Sequence, residues 1–174
     1  ILRGLVGSEM CIRDSPFIRL ILSDGGVMGE LRIRDLKVIG ARKDSELYFD
    51  NIPVELTNTK VSVKESGRYI SCDPNVAYYS TKLQTERLET LRFAKELRYE
   101  LNRPLAVCDP FCGVGPALST LIAEEDLVGN ILASDLNSSA VELLFENLMR
   151  WDKREYPTKS CLLYTSPSPR DLSE

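Results

Sequence analysis

Between Phe17 and about Cys72 apolar and polar residues alternate in short runs. FIRLIL, ELRIRDLKVI, ELYF, KVSVK and RYISC read as strands, with Leu31, Ile33, Leu36 and Val38 as the apolar positions of the second. Breaks fall at Asp24-Gly25-Gly26, at Asn51 with Pro53, and at Ser66-Gly67. After Asp73-Pro74 the period changes. Leu88, Leu91, Ala94, Leu97 and Leu101 recur at helical spacing, and Thr81 with Gln84 forms a capping-box pattern, which predicts a helix over 82–99. Asn102-Arg103-Pro104 ends it, because a proline disfavours helix in the residue before it.

A β-loop-α-β-α series follows. LAVCD (105–109) predicts a strand, PFCGVG a glycine-bearing turn, and PALSTLIAEE a helix with Pro116 in its first turn, where a missing N–H costs little. ILASD (131–135) predicts a second strand. SSAVELLFENLMRW (138–151) predicts an amphipathic helix capped by Asn137 or Ser138. Strands separated by helices imply an α/β fold with a parallel, doubly wound sheet, of which this is the N-terminal half. The expected organisation is a small β-rich piece at 16–72 and the α/β domain at 73–160.

The two ends stand apart. One DNA string encodes CLLYTSPSPRD (161–171) on one strand and LVGSEMCIRD (5–14) on the other, and that string resembles a common transposase-type sequencing adaptor. Residues 1–15 and 161–174 are therefore expected to be non-native flanks lying outside the fold. Setting them aside leaves 19 basic against 22 acidic residues, so charge gives no independent support for nucleic-acid binding. Cys72, Cys108 and Cys112 remain, a sparse odd set that fits a reducing, cytoplasmic setting better than a disulfide framework. Two thiols with no histidine in the chain make a poor metal site, and the same absence removes Ser-His and Cys-His nucleophile systems. No apolar run reaches the roughly 20 residues of a membrane helix.

The chemistry concentrates in Asp109-Pro-Phe-Cys-Gly-Val-Gly115. Ligands of open α/β sheets bind beyond the carboxyl ends of the strands, and Gly113 and Gly115 would let backbone approach a nucleotide there. Asp135, 20 residues past Gly115, is spaced to accept hydrogen bonds from ribose hydroxyls. Dinucleotide sites share this layout, but their third glycine is Leu118 here, and Pro116 follows the second. Asp109 suits a ligand with a cationic amino group better than a diphosphate.

These residues carry a resemblance. DPFCGVGP and SDLNSSAVELLFENL resemble motifs I and II of class I S-adenosylmethionine (SAM)-dependent methyltransferases. VAYYSTKLQTER resembles the segment before motif I in the tRNA guanosine-37 N1-methyltransferase and wybutosine-synthesis transferase group. The similarity covers about residues 65–151. It implies an enzyme with SAM as cofactor and tRNA or another structured RNA as partner, and it leaves oligomeric state open; the cytoplasmic setting and the lack of a metal or membrane are expected from the cysteine, histidine and apolar-run observations above.

By the same resemblance Tyr78 and Lys82 match positions that wall or contact the cofactor. Asp109, Phe111, Gly113 and Gly115 match the cofactor loop. Asp135 matches the ribose acid, with Leu136 and Asn137 beside the adenine. Glu86 matches the acid implicated in taking the proton from guanine N1, its alternative being a first-turn residue that favours the helix dipole. Of Tyr78 and Tyr79, one ring is expected to pack in the core. Arg87, Arg92 and Arg98 could touch RNA or lie on a solvated helix face.

Lys82 and Thr81 depart from the arginine and proline common in the group. Cys112 is also reminiscent of RNA guanine-N2 methyltransferases with a THUMP domain. An aminocarboxypropyl transferase and a non-catalytic nucleotide-binding module remain alternatives. The motif that grips the target base is expected beyond Ser160, so the 174-residue chain alone is expected to be inactive.

Overall fold

The structure, a computed structural model, describes residues 12–77 and 79–152. The chain divides into two compact units, Ile1–Lys60 with Asp73–Val76, and Val61–Cys72 with Ala77–Glu174.

The first unit is an antiparallel meander of β1 (Leu20–Met28), β2 (Ile33–Lys43) and β3 (Glu46–Tyr48), in that order across the sheet. The expected break at Asp24-Gly25-Gly26 is instead a bulge inside β1. The register shifts between Asp24 and Val27, Asp24 Oδ1 accepts the Gly26 N–H, and Gly26 has φ +109°. Glycine permits the bulge, and pairing resumes beyond it. Residues 12–14 are helical and Ile12 is fully buried, so this end of the 1–15 flank is packed, contrary to the peripheral placement expected of it. Residues 161–174 lie outside the described residues.

The second unit opens with a hairpin of β4 (Val61–Glu65) and β5 (Arg68–Cys72). Ser66 (φ 48°) and Gly67 (φ 83°) make its two-residue turn, both left-handed as a type I′ turn requires. The sequence reading placed these strands with the β-rich piece. The structure places them with the α/β elements, for reasons that lie on the last helix. There the Asn147 side chain bonds both backbone groups of Ser71, the Trp151 indole donates to Tyr69 O at 2.8 Å, and Arg68 donates to Trp151 O at 3.0 Å.

Next come α1 (Gln84–Leu101), β6 (Leu105–Asp109), α2 (Pro116–Ile122), β7 (Val128–Ala133) and α3 (Ser138–Trp151). A 3-10 turn at Thr81–Leu83 leads into α1, so the capping role expected of Thr81 falls to Ser80, whose side chain accepts the Lys82 N–H at 3.3 Å. Asn102, left-handed at φ 50°, ends the helix.

Strands β6 and β7 pair in parallel, as the β-loop-α-β order requires. Their inner face packs two apolar clusters. Cys112, Leu118, Ala133, Leu144 and Leu148 form one; Leu105, Leu121, Leu127 and Val128 form the other, with Leu91 and Ala94 of α1 against it. Cys108 and Leu132, on the alternate positions, are exposed. Among the described residues, helices therefore cover one face of this sheet.

Candidate active site

Strand β6 ends at Asp109 and the chain turns sharply through 110–115 into α2. The turn is laced to the segment leaving β7. Ser134 N–H donates to Asp109 O at 2.9 Å, and Cys112 N–H donates back to Ser134 O at 3.0 Å. Asp135 then grips the loop directly: one carboxylate oxygen accepts the Gly113 N–H at 2.8 Å and the other the Asn137 N–H at 2.9 Å. The glycine loop is thus pre-formed by the acid at the end of the neighbouring strand.

The two glycines differ in purpose. Gly113 (φ 52°) supplies the left-handed turn and offers its N–H to Asp135. Gly115 (φ 85°) is buried, and a Cβ there would lie 2.4 Å from Leu144 Cδ1 and 3.3 Å from Trp151 Cζ3. The missing side chain at Gly115 therefore also lets α3 pack onto the loop. Leu118, at the dinucleotide third-glycine position, is core.

Asp109 is half-buried, and its Oδ1 accepts the Phe111 N–H at 3.2 Å. Burial raises its carboxyl above the ordinary value, against the Phe111 N–H, and the nearby Asp135 charge adds to the rise. Phe111 is 57% exposed beside it. Leu136 is half-buried, while the Asn137 side-chain oxygen caps α3 by accepting from Ser139 and Ala140 N–H. Of the two cysteines near the loop, Cys108 is exposed and Cys112 sits in the core cluster.

Direct bonds join Asp109 to Phe111, and Asp135 to both Gly113 and Asn137, and the backbone of Ser134 links the two sets through Asp109 and Cys112. Lys82 and Glu86 lie exposed around the start of α1, and no hydrogen bond links either side chain to the loop among the described residues. Tyr78 lies outside the described residues.

Sequence reasoning missed a buried cluster just below Glu86. Arg87 pairs with Glu65 at 2.6 Å, with side-chain exposures of 9% and 3%, and donates to Ser80 O at 2.7 Å. Tyr79 donates to the other Glu65 oxygen at 2.5 Å under the Arg87 guanidinium. Burial, then the hydrogen bond to Glu65, raises the Tyr79 phenol well above its ordinary value. Arg87 is thus neither an RNA contact nor on a solvated face, whereas Arg92 is exposed and pairs with Glu89 and Glu96. Arg98, half-buried, donates to Asp126 O at 3.3 Å. The signal for Arg87 was phase: Arg87, Leu91 and Ala94 fall on one helical stripe.

The fold and loop define a Rossmann-like α/β unit. The chain is 28% identical over 149 residues to tRNA (guanine(37)-N(1))-methyltransferase 2 of Phaeodactylum tricornutum, covering 85% of this chain and 22% of that protein. It is 36% identical over 87 residues to the tRNA (guanine(37)-N(1))-methyltransferase of Paramecium tetraurelia, covering 50% of this chain and 20% of that one. Among solved structures it resembles aTrm5 in complex with tRNALeu (TM-score 0.61, 23% identity, 85% of this chain and 38% of that chain). It also resembles wild-type Trm5b from Pyrococcus abyssi (TM-score 0.59, 23% identity, 82% and 36%). These likenesses show the fold. The chain spans about a fifth of the length of the two named relatives. No protein-family model matches it.

Proposed function

We propose that this chain carries the cofactor loop and the catalytic base of an enzyme that methylates N1 of guanine 37 in tRNA, with SAM as donor. The observation that carries the reading is the glycine loop held between two strand-end carboxylates, Asp109 and Asp135. The names of the relatives support the substrate.

The donor set fits SAM. Burial disfavours the charged form of Asp109, and a cationic amino group placed beside it would offset that cost. Each Asp135 oxygen accepts one N–H and keeps a lone pair for a ribose hydroxyl. The exposed Phe111 ring gives an apolar wall next to them. When bound, SAM supplies an electrophilic methyl group on a sulfonium.

The chain's part is positioning and proton removal. Guanine N1 must shed its proton to attack, and the exposed Glu86 carboxylate on the first turn of α1 is free of any hydrogen bond or ion pair to other described residues. Glu86 would accept the N1 proton, and the N1 lone pair would take the methyl group as its bond to the sulfonium breaks to leave a neutral thioether.

Titration of the chain with SAM and NADH tests the cofactor: SAM binding without NADH binding supports the reading, and the reverse refutes it. Labelled methyl transfer by the gene product that carries this segment should reach transcripts with guanine, not adenine, at position 37. There Glu86→Gln should lower the transfer rate by about 10²- to 10⁴-fold and leave SAM affinity unchanged. Equal losses in rate and affinity would remove Glu86 from the role of base.

A further inference from the structure

We infer that Asn147 is the positioning residue of the cofactor loop, tying it to strand β5 of the hairpin. The inference rests on the reading of 109–115 as the cofactor loop. Asn147 is fully buried in α3, on the stripe of Leu143, Leu144 and Leu148, where a polar residue needs a reason. Its carbonyl oxygen accepts the Ser71 N–H at 2.8 Å, and its amide nitrogen donates to Ser71 O and to Val114 O, each at 2.9 Å. At Ser71 the side chain does what a neighbouring strand would, satisfying both outward backbone groups of β5.

The third bond acts on the loop. Val114 stands between Gly113 (φ 52°) and Gly115 (φ 85°), the two residues whose backbone freedom would let the intervening peptides rotate. The Val114–Gly115 peptide is held at both ends: its carbonyl by Asn147, and its N–H by Cys112 O at 2.8 Å. A flip of this peptide breaks both bonds and leaves a carbonyl unpaired beside a fully buried Val114. The hairpin therefore sets the orientation of the peptide between the two glycines, and Asn147 transmits it.

Asn147→Asp keeps an acceptor for Ser71 N–H but turns an oxygen toward Val114 O; Asn147→Ser, too short to span both partners, serves if N147D does not fold. Leu143→Ala, on the same helix and outside the cluster that includes Cys112, controls for loss of stability alone. Amide hydrogen exchange is measured on the ligand-free chain, and SAM affinity on the folded protein. In N147D or N147S the amides of Cys112, Gly113 and Gly115 should exchange faster, and SAM binding should weaken by about tenfold, the effect of one buried hydrogen bond. L143A should lower the melting temperature with loop exchange and affinity unchanged. Unchanged loop exchange in the Asn147 variants, or the same acceleration in L143A, overturns the inference. Faster loop exchange in a chain whose unsubstituted form does not bind SAM would uphold the clasp and refute the cofactor reading.

Discussion

Gly115→Ala is a severe test of the packing between α3 and the loop. Two costs add. Gly115 sits at φ 85°, where an L-residue pays about 1–2 kcal/mol. The new methyl would stand 2.4 Å from Leu144 Cδ1, and Leu144 is fully buried in the core cluster. Forcing a methyl group into a filled core costs about 1–3 kcal/mol, so the substitution should destabilise by about 2–5 kcal/mol. Leu144→Ala alone removes the obstructing group and should cost about 2–5 kcal/mol by leaving a cavity. Combined, the two should be less damaging than their sum by about 1–3 kcal/mol, because the clash disappears while the backbone strain stays. Urea unfolding followed by tryptophan fluorescence reads this well: Trp151 is the chain's single tryptophan, and its ring lies 3.3 Å from the position of the added methyl. Strict additivity of the two substitutions would refute the argument that Gly115 serves helix packing.

Two further predictions concern ionisation. The Asp109 carboxyl is raised above 3.8, chiefly by burial, so its charged form opposes folding at neutral pH. Asp109→Asn should raise the melting temperature at pH 7, lose that advantage as pH falls below 3.8 where both states hold the proton, and weaken SAM binding; a lower melting temperature at pH 7 would contradict the sign. Tyr79 is raised above 10.0, so its contribution to stability is present below pH 10.0 and is lost as pH rises from there toward the folded value. Denaturation midpoints across that alkaline range should fall less steeply in Tyr79→Phe, and identical slopes would show that the phenol is not held by Glu65.

Much of the second unit was legible because its signals are local. The β-loop-α-β order, the Asn137 cap and the strand-end acids each rest on residues a few positions apart. The hairpin's membership was not legible, since its anchors Asn147 and Trp151 lie 76 and 82 residues from the backbone groups they bond. Likewise Glu65 beside a turn reads as a solvated hairpin end until Arg87, 22 residues on, closes over it. At Asp24-Gly25-Gly26 the turn residues were genuine, but cross-strand pairing continued past them and made a bulge of what the composition marked as an end. Gly115 shows a third kind of gap: the packing role of this glycine could not be read, because Leu144 is seen beside it only in three dimensions.

The path of the chain between its units bears on where it can be cut. Covalently it crosses from one to the other after Lys60, after Cys72 and after Val76. A recombinant piece begun at Asp73, where the sequence period changes, would discard Ser71 and leave the fully buried Asn147 amide with one of its three bonds. Each stranded polar group costs about 1–3 kcal/mol, a large share of a small domain's stability. The same cut would strip Arg87 and Tyr79 of Glu65. A piece begun at Val61 keeps all of these, so twelve residues that look like the tail of one module are the foundation of the next.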